Sequence, residues 1–184
     1  VTCRDWFQLS LKEGFTVFRE SQYISEQYSK SLKRIDDVVK LRQYQFVEDS
    51  SFMSHCVQPD SYIEINNFYT STIYEKGAEI IRMLYILVGE KKFREGSDLY
   101  FLRYDLQAVT MEELISAIEE VSGLNLSQFR LWFLKKGIPV ISFSDVYDKK
   151  LKQYLVTITQ LDSKKTLYFP FQVAFFDFSG SLIK

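Results

Sequence analysis

The chain has 184 residues, 46% apolar, 16% aromatic and 26% charged, with a formal net charge of −1. That length suits one ordinary domain, or one domain and part of another, and the composition excludes a disordered or low-complexity chain. The charge leaves no electrostatic footprint for nucleic acid, and the longest apolar run, Met83 to Val88, is far short of the roughly 20 residues a membrane span needs.

The chain opens on Val1-Thr2-Cys3-Arg4-Asp5-Trp6, with no initiator Met, basic n-region or cleavage-site pattern. It enters an apolar-periodic segment at once, so it is expected to be a piece of a longer protein. Trp6, Leu9, Phe15 and Phe18 predict a first helix from Asp5 to about Tyr23, which Gly14 interrupts. A second, shorter helix is expected over Ser31 to Gln43, on Leu32, Ile35, Val38 and Val39. Phe46 to Ile65, with Asp49-Ser50-Ser51 and Pro59-Asp60-Ser61, reads as a long loop.

The strongest helix signal is Phe68 to Val88, whose buried side is built by Ile73, Ala78, Ile81, Leu84, Tyr85 and Val88. Gly89 stops it, and Glu90 to Tyr104 resumes the helical period. Thr110-Met111-Glu112-Glu113 has the form of a capping box and opens a helix that ends at Gly123. A short helix carrying Phe129, Trp132 and Phe133 follows, opened by Asn125 or Ser127. At Gly137-Ile138-Pro139 the apolar period falls from 3.6 to 2. Val140 to Val146, Tyr154 to Gln160 and Thr166 to Phe176 then read as strands, joined by turns at Asp148-Lys149-Lys150 and Asp162-Ser163-Lys164-Lys165.

Local chemistry alone names no reaction. Two cysteines, Cys3 and Cys56, and one histidine, His55, exclude a disulfide scaffold and any self-contained H-E-x-x-H or His-rich metal centre. Both cysteines read as small buried groups, and His55 as a hydrogen-bonded loop residue. By itself Glu13 reads as an exposed helix carboxylate, and Tyr62, Tyr69 and Tyr74 as packing groups with wet hydroxyls. There is no G-x-S-x-G, no Gly-rich phosphate loop and no C-x-x-C.

Three blocks carry a resemblance. Val1 to Gly14 with Phe15-Thr16-Val17-Phe18-Arg19, Pro59 to Tyr69, and Thr72-Ile73-Tyr74-Glu75-Lys76-Gly77 running to Arg82-Met83 closely resemble bacterial zinc aminopeptidases of the alanyl aminopeptidase (aminopeptidase N) family. The likeness returns weakly at Ser127 to Trp132 and Gly137 to Pro139. In that family the zinc is held by H-E-x-x-H and, roughly eighteen residues later, by a Glu in an L-K-E-G context. The resemblance implies that Glu13 is that ligand, with the second His about seven residues before Val1. It implies that Tyr74 donates to the tetrahedral oxyanion, and that Glu13 also helps hold the substrate's α-ammonium. Tyr69 is assigned to the substrate side. Glu20, two helical turns beyond Glu13, is either a supporting residue behind the metal or a solvated carboxylate.

The expected fold is mainly α. Residues 1–138 would form the helical part of a thermolysin-like catalytic domain, and 139–184 the opening strands of an incomplete β-sandwich. The expected parent is a cytoplasmic hydrolase of peptide catabolism, acting on peptides with a free N-terminus by zinc-activated water attack. The chain alone is expected to be inactive and free of zinc. Two alternatives stay open: a helical and β interaction module without enzymatic activity, and a decayed reading frame.

Overall fold

The computed structural model describes residues 2–161 and 166–183. A 3-10 turn, Trp6–Gln8, leads into α1 (Leu9–Gln27), which runs through Gly14 without a break. Next come α2 (Lys30–Lys40), a π-helical turn (Leu41–Gln45) and α3 (Phe46–Asp49), which follow one another without interruption. The helix expected to stop at Gln43 therefore continues to Asp49, and the irregular segment is shorter than its sequence suggested. Ser29 caps α2 by accepting from the Leu32 amide at 3.3 Å.

A second π-helical turn (Thr72–Lys76) opens α4 (Gly77–Val88), and α5 (Glu90–Tyr104) follows after Gly89. The Thr110 box forms as its sequence predicts. Thr110 accepts from the Glu112 amide at 3.2 Å while Glu113 reaches back to the Thr110 amide at 2.8 Å, and α6 (Met111–Ser122) begins there. α6 ends at Gly123, whose φ of 72° is the left-handed cap that glycine adopts without strain. Asn125 accepts from the Ser127 amide at 2.9 Å and starts the turns that lead to α7 (Leu131–Leu134).

One pairing was not legible in the sequence. Thr2–Cys3 (β1) pairs in parallel with Ala108–Val109 (β2), so the start of the chain is tied beside the start of α6. Buried Gln8 strengthens this tie by accepting from the Met111 amide at 3.1 Å.

The main core lies among α1, α4, α5, α6 and α7 and includes Leu11, Phe18, Ile81, Leu84, Leu114, Ile118 and Phe129. Each such fully buried side chain is worth about 1.5–3 kcal/mol over leaving it in water. A smaller cluster of Leu9, Phe68 and Ile73 seats Tyr74 along one edge.

After α7 the chain leaves the helical body. β3 (Ile141–Asp148) and β4 (Gln153–Gln160) form an antiparallel hairpin in which Phe143 faces Ile158 and Val146 faces Leu155. The third strand expected over Thr166 to Phe176 does not form. Gln160 takes the Leu167 backbone on its side chain, donating to its carbonyl at 2.6 Å and accepting from its amide at 2.9 Å. Leu167 is then buried in the helical core, and the Trp132 indole donates to the Tyr168 carbonyl at 2.8 Å. From Thr166 to Tyr168 the backbone is thus held by side chains instead of a ladder. The turn expected at residues 162–165 lies outside the described residues.

Candidate functional site

The site forms where α1 crosses α4. A Cβ added to Gly14 would lie 2.8 Å from the Gly77 carbonyl carbon, and one added to Gly77 would lie 3.2 Å from the Gly14 Cα. No side chain fits between the two backbones. The glycine that looked like a flaw in the first helix is thus what allows the crossing. Its consequence is local: Glu13 immediately precedes one glycine, and Tyr74 sits one turn before the other.

Glu13 and Tyr74 converge. The Glu13 side chain is only 12% exposed and pairs with the Lys12 ammonium beside it. Tyr74 is half-buried. Burial pushes its phenol above the ordinary range, and the Glu13 carboxylate adds to this by its charge and by accepting a hydrogen bond, while Lys12 works in the opposite direction. The phenol therefore stays protonated, and a donor, across the neutral range.

Tyr69 stands at the mouth of this cluster, 49% exposed, its ring 6.5 Å from that of Tyr74 and 6.4 Å from that of Trp6. Glu20 is exposed on α1, two turns further on.

Lys12 was not singled out from the sequence, although it lies inside the quoted L-K-E-G stretch. Its own pKa is raised, first by its hydrogen bond to Glu13. Two further residues were missed because the segment from Phe46 read as a loop. Glu48 accepts from the Thr72 amide at 2.8 Å, the Thr72 hydroxyl at 2.5 Å and the Ser71 amide at 3.2 Å. Asp49, its side chain fully buried, binds Lys76 at 2.6 Å. Burial alone would raise the Asp49 carboxyl, but hydrogen bonds from Lys76 and Ser54 prevail and hold it below the ordinary value.

The remaining titratable candidates are engaged elsewhere. His55 has Nδ1 2.7 Å from the Cys56 carbonyl and Nε2 2.8 Å from the Thr70 hydroxyl. A carbonyl only accepts, so Nδ1 is the donor in that bond. The Cys56 thiol donates to the Leu134 carbonyl at 2.9 Å, and burial pushes its pKa up, as for an inert thiol.

Zinc needs three protein ligands and an open position. Among the described residues no group of three His, Cys, Asp or Glu side chains is placed to hold a metal. These residues do not by themselves fit the zinc that the resemblance implies; they offer one carboxylate, Glu13.

Residues 1–133 match the Peptidase family M1 domain. Aminopeptidase N of Escherichia coli (strain K12) is 45% identical over 190 residues, which covers all of this chain and 22% of that protein. Aminopeptidase N of Haemophilus influenzae is 47% identical, over 98% of this chain and 22% of its own length. That of Caulobacter vibrioides is 51% identical over 80% of the chain. Among solved structures, Legionella pneumophila aminopeptidase A in complex with aspartic acid superposes with a TM-score of 0.74 at 32% identity, over 88% of this chain and 18% of that one. The chain spans about a fifth of the length of the curated relatives it matches.

Proposed function

Because the chain belongs to peptidase family M1, we propose that it is part of a zinc-dependent aminopeptidase, one that releases N-terminal residues from peptides. The observation that carries this reading is the convergence of Glu13 and Tyr74 across the Gly14–Gly77 crossing. Two residues from separate blocks of the resemblance meet at one place, beside the exposed ring of Tyr69. On this reading residues 1–138 belong to the peptidase domain and 139–184 to the start of a second, β-rich domain.

Tyr74 is the group that meets the reacting atoms. Its phenol stays protonated and donates to the oxygen that becomes negative when the scissile carbonyl turns tetrahedral. One such donor is worth about 2.7–4 kcal/mol of transition-state stabilisation. Half-burial helps, because a donor already shielded from water need not be desolvated as the charge develops. Glu13 serves as one metal ligand, and its negative charge suits it to hold the substrate's α-ammonium as well. Tyr69 offers a flat apolar surface to the substrate, while exposed Glu20 takes no direct part. With one histidine in the sequence, the other two ligands and the general base must come from elsewhere. The 184 residues alone should then hold no stoichiometric zinc after dialysis and turn over no N-terminal amide substrate. The setting proposed for the whole enzyme is cytoplasmic; no described helix is long and apolar enough to cross a membrane.

A chimera tests the assignment. Residues 1–184 would replace the matching segment of the Escherichia coli Aminopeptidase N, and zinc content and kcat would be measured. The expected result is an active enzyme in which Tyr74→Phe lowers kcat by about 10²–10³ with zinc retained, whereas Glu13→Ala loses zinc. A folded, zinc-loaded chimera in which Tyr74→Phe keeps full kcat would overturn the role given to Tyr74.

A further inference from the structure

Tyr74 is the middle residue of the five-residue π-helical turn Thr72–Lys76. Such turns are rare and hold one residue more than an α turn at the same place. If this one relaxed to an α turn, the side chains around it would swing by about one helical step, 100°. Something must therefore hold it open. Two adjacent acidic residues grip its two ends.

Glu48 grips the first residue. Its carboxylate accepts the Thr72 amide at 2.8 Å and the Thr72 hydroxyl at 2.5 Å. Asp49 grips the last, taking the Lys76 ammonium at 2.6 Å in a buried pair. Three further hydrogen bonds brace Asp49: Gln45 donates at 3.1 Å, Ser54 at 2.7 Å and the Gly137 amide at 2.9 Å. Lys76 in turn donates to the Gly137 carbonyl at 2.9 Å. Gln45 ends the other π-helical turn of the chain and reaches the Thr72 hydroxyl at 3.4 Å, so the two widened turns lie against each other.

We propose that Glu48 and Asp49 are positioning residues that clamp the widened turn at its first and last residues and so fix the direction in which Tyr74 points. They act on Tyr74 through Thr72 and Lys76, the residues they bind. The proposal gains its interest from the role given to Tyr74 above, but its test reads the placement of the tyrosine and needs no peptidase activity. Failure of either reading can thus be told from failure of the other.

The experiment uses the 184-residue chain labelled with ¹³C at tyrosine Cζ, with the Tyr74 resonance assigned through Tyr74→Phe. At neutral pH, Glu13→Gln should move the Tyr74 resonance, because the acceptor beside its hydroxyl changes. The same substitution is then made in Glu48→Ala and in Thr72→Val. The clamp predicts that the Tyr74 response to Glu13→Gln falls to less than about half in both backgrounds, a non-additivity expected of coupled groups. Tyrosines remote from the turn, such as Tyr147, should keep their shifts. Should Glu48→Ala fail to fold, Thr72→Val decides, since it keeps the side-chain shape and removes only the hydroxyl that Glu48 and Gln45 share. A folded Thr72→Val chain, or a folded Glu48→Ala chain, in which Tyr74 responds in full to Glu13→Gln overturns the proposal.

Discussion

In α6, Leu114, Ile115 and Ile118 are at most 1% exposed, whereas in the β3–β4 hairpin Phe143, Val146 and Leu155 are each more than half exposed. Both regions carry apolar residues at the period of their own secondary structure. The helix meets α5 closely enough that a Cβ on Gly96 would lie 2.8 Å from the Ile118 Cα. The hairpin has no such neighbour: its Phe143–Ile158 face is half-covered, partly by Phe175 against Tyr154, and its Val146–Leu155 face is open. A period says which residues share a face, not whether anything covers it. Two strands on their own are marginal in water, so the hairpin depends on its ladder while the helical body depends on packing.

Substitutions should divide along that line. The largest effect is expected at the buried pair. Lys76→Met leaves Asp49 charged and unpaired among buried groups, and should cost about 3–5 kcal/mol in urea unfolding, most of it recovered when Asp49 is also made apolar. Equal costs for the single and double variants would show that the pair is not what holds the segments together. Next comes the helix crossing. Gly14→Val places atoms where the Gly77 backbone already stands, and should cost about 1–3 kcal/mol or more. Gly180→Val, at an open position on the C-terminal segment, puts a side chain where φ is 81° and meets no atom, so backbone strain alone should register there.

Acid sharpens the contrast in a different way. Hydrogen bonds from Arg130 hold the Glu112 and Glu119 carboxyls below their ordinary value of 4.5, and Asp49 is held below 3.8 despite its burial. Because these folded-state values are depressed, their contribution is present above the unfolded values and lost as the pH falls through the folded ones. Stability of the helical body should thus be flat near neutral and decline below about pH 4, as read by circular dichroism at 222 nm. A decline that begins at pH 6 would show that these carboxyls do not govern it.

The smallest effect is expected in the hairpin. Val146→Thr should change global stability by no more than about 0.5 kcal/mol. Trypsin should cut first at the exposed Lys149–Lys152 turn, before any site in α4 to α6, in a time course followed by mass spectrometry. Cleavage inside α5 ahead of that turn would break the comparison.

Much of the fold could be read from residues close together in the chain. Thr110 and Glu113 are three positions apart, so their reciprocal cap is a local event that the sequence announces. The change of period beyond Gly137 was equally visible, and α7 ends at Leu134 before β3 begins at Ile141. Residues 166–176 misled because an alternating apolar run predicts a strand only if a ladder is offered, and here Gln160 and Trp132 take the backbone first.

The sequence by itself determined the family, most of the helices and the candidates Glu13 and Tyr74, because each is written within a single block of contiguous residues. Only the tertiary structure decided that the two meet, that Gly14 serves a crossing, and that Glu48 and Asp49 hold the turn bearing Tyr74. The physical reason is range. Caps and periods join residues one turn apart, whereas the Gly14–Gly77 crossing and the Asp49–Lys76 pair join segments far apart in the chain that meet only once it has packed.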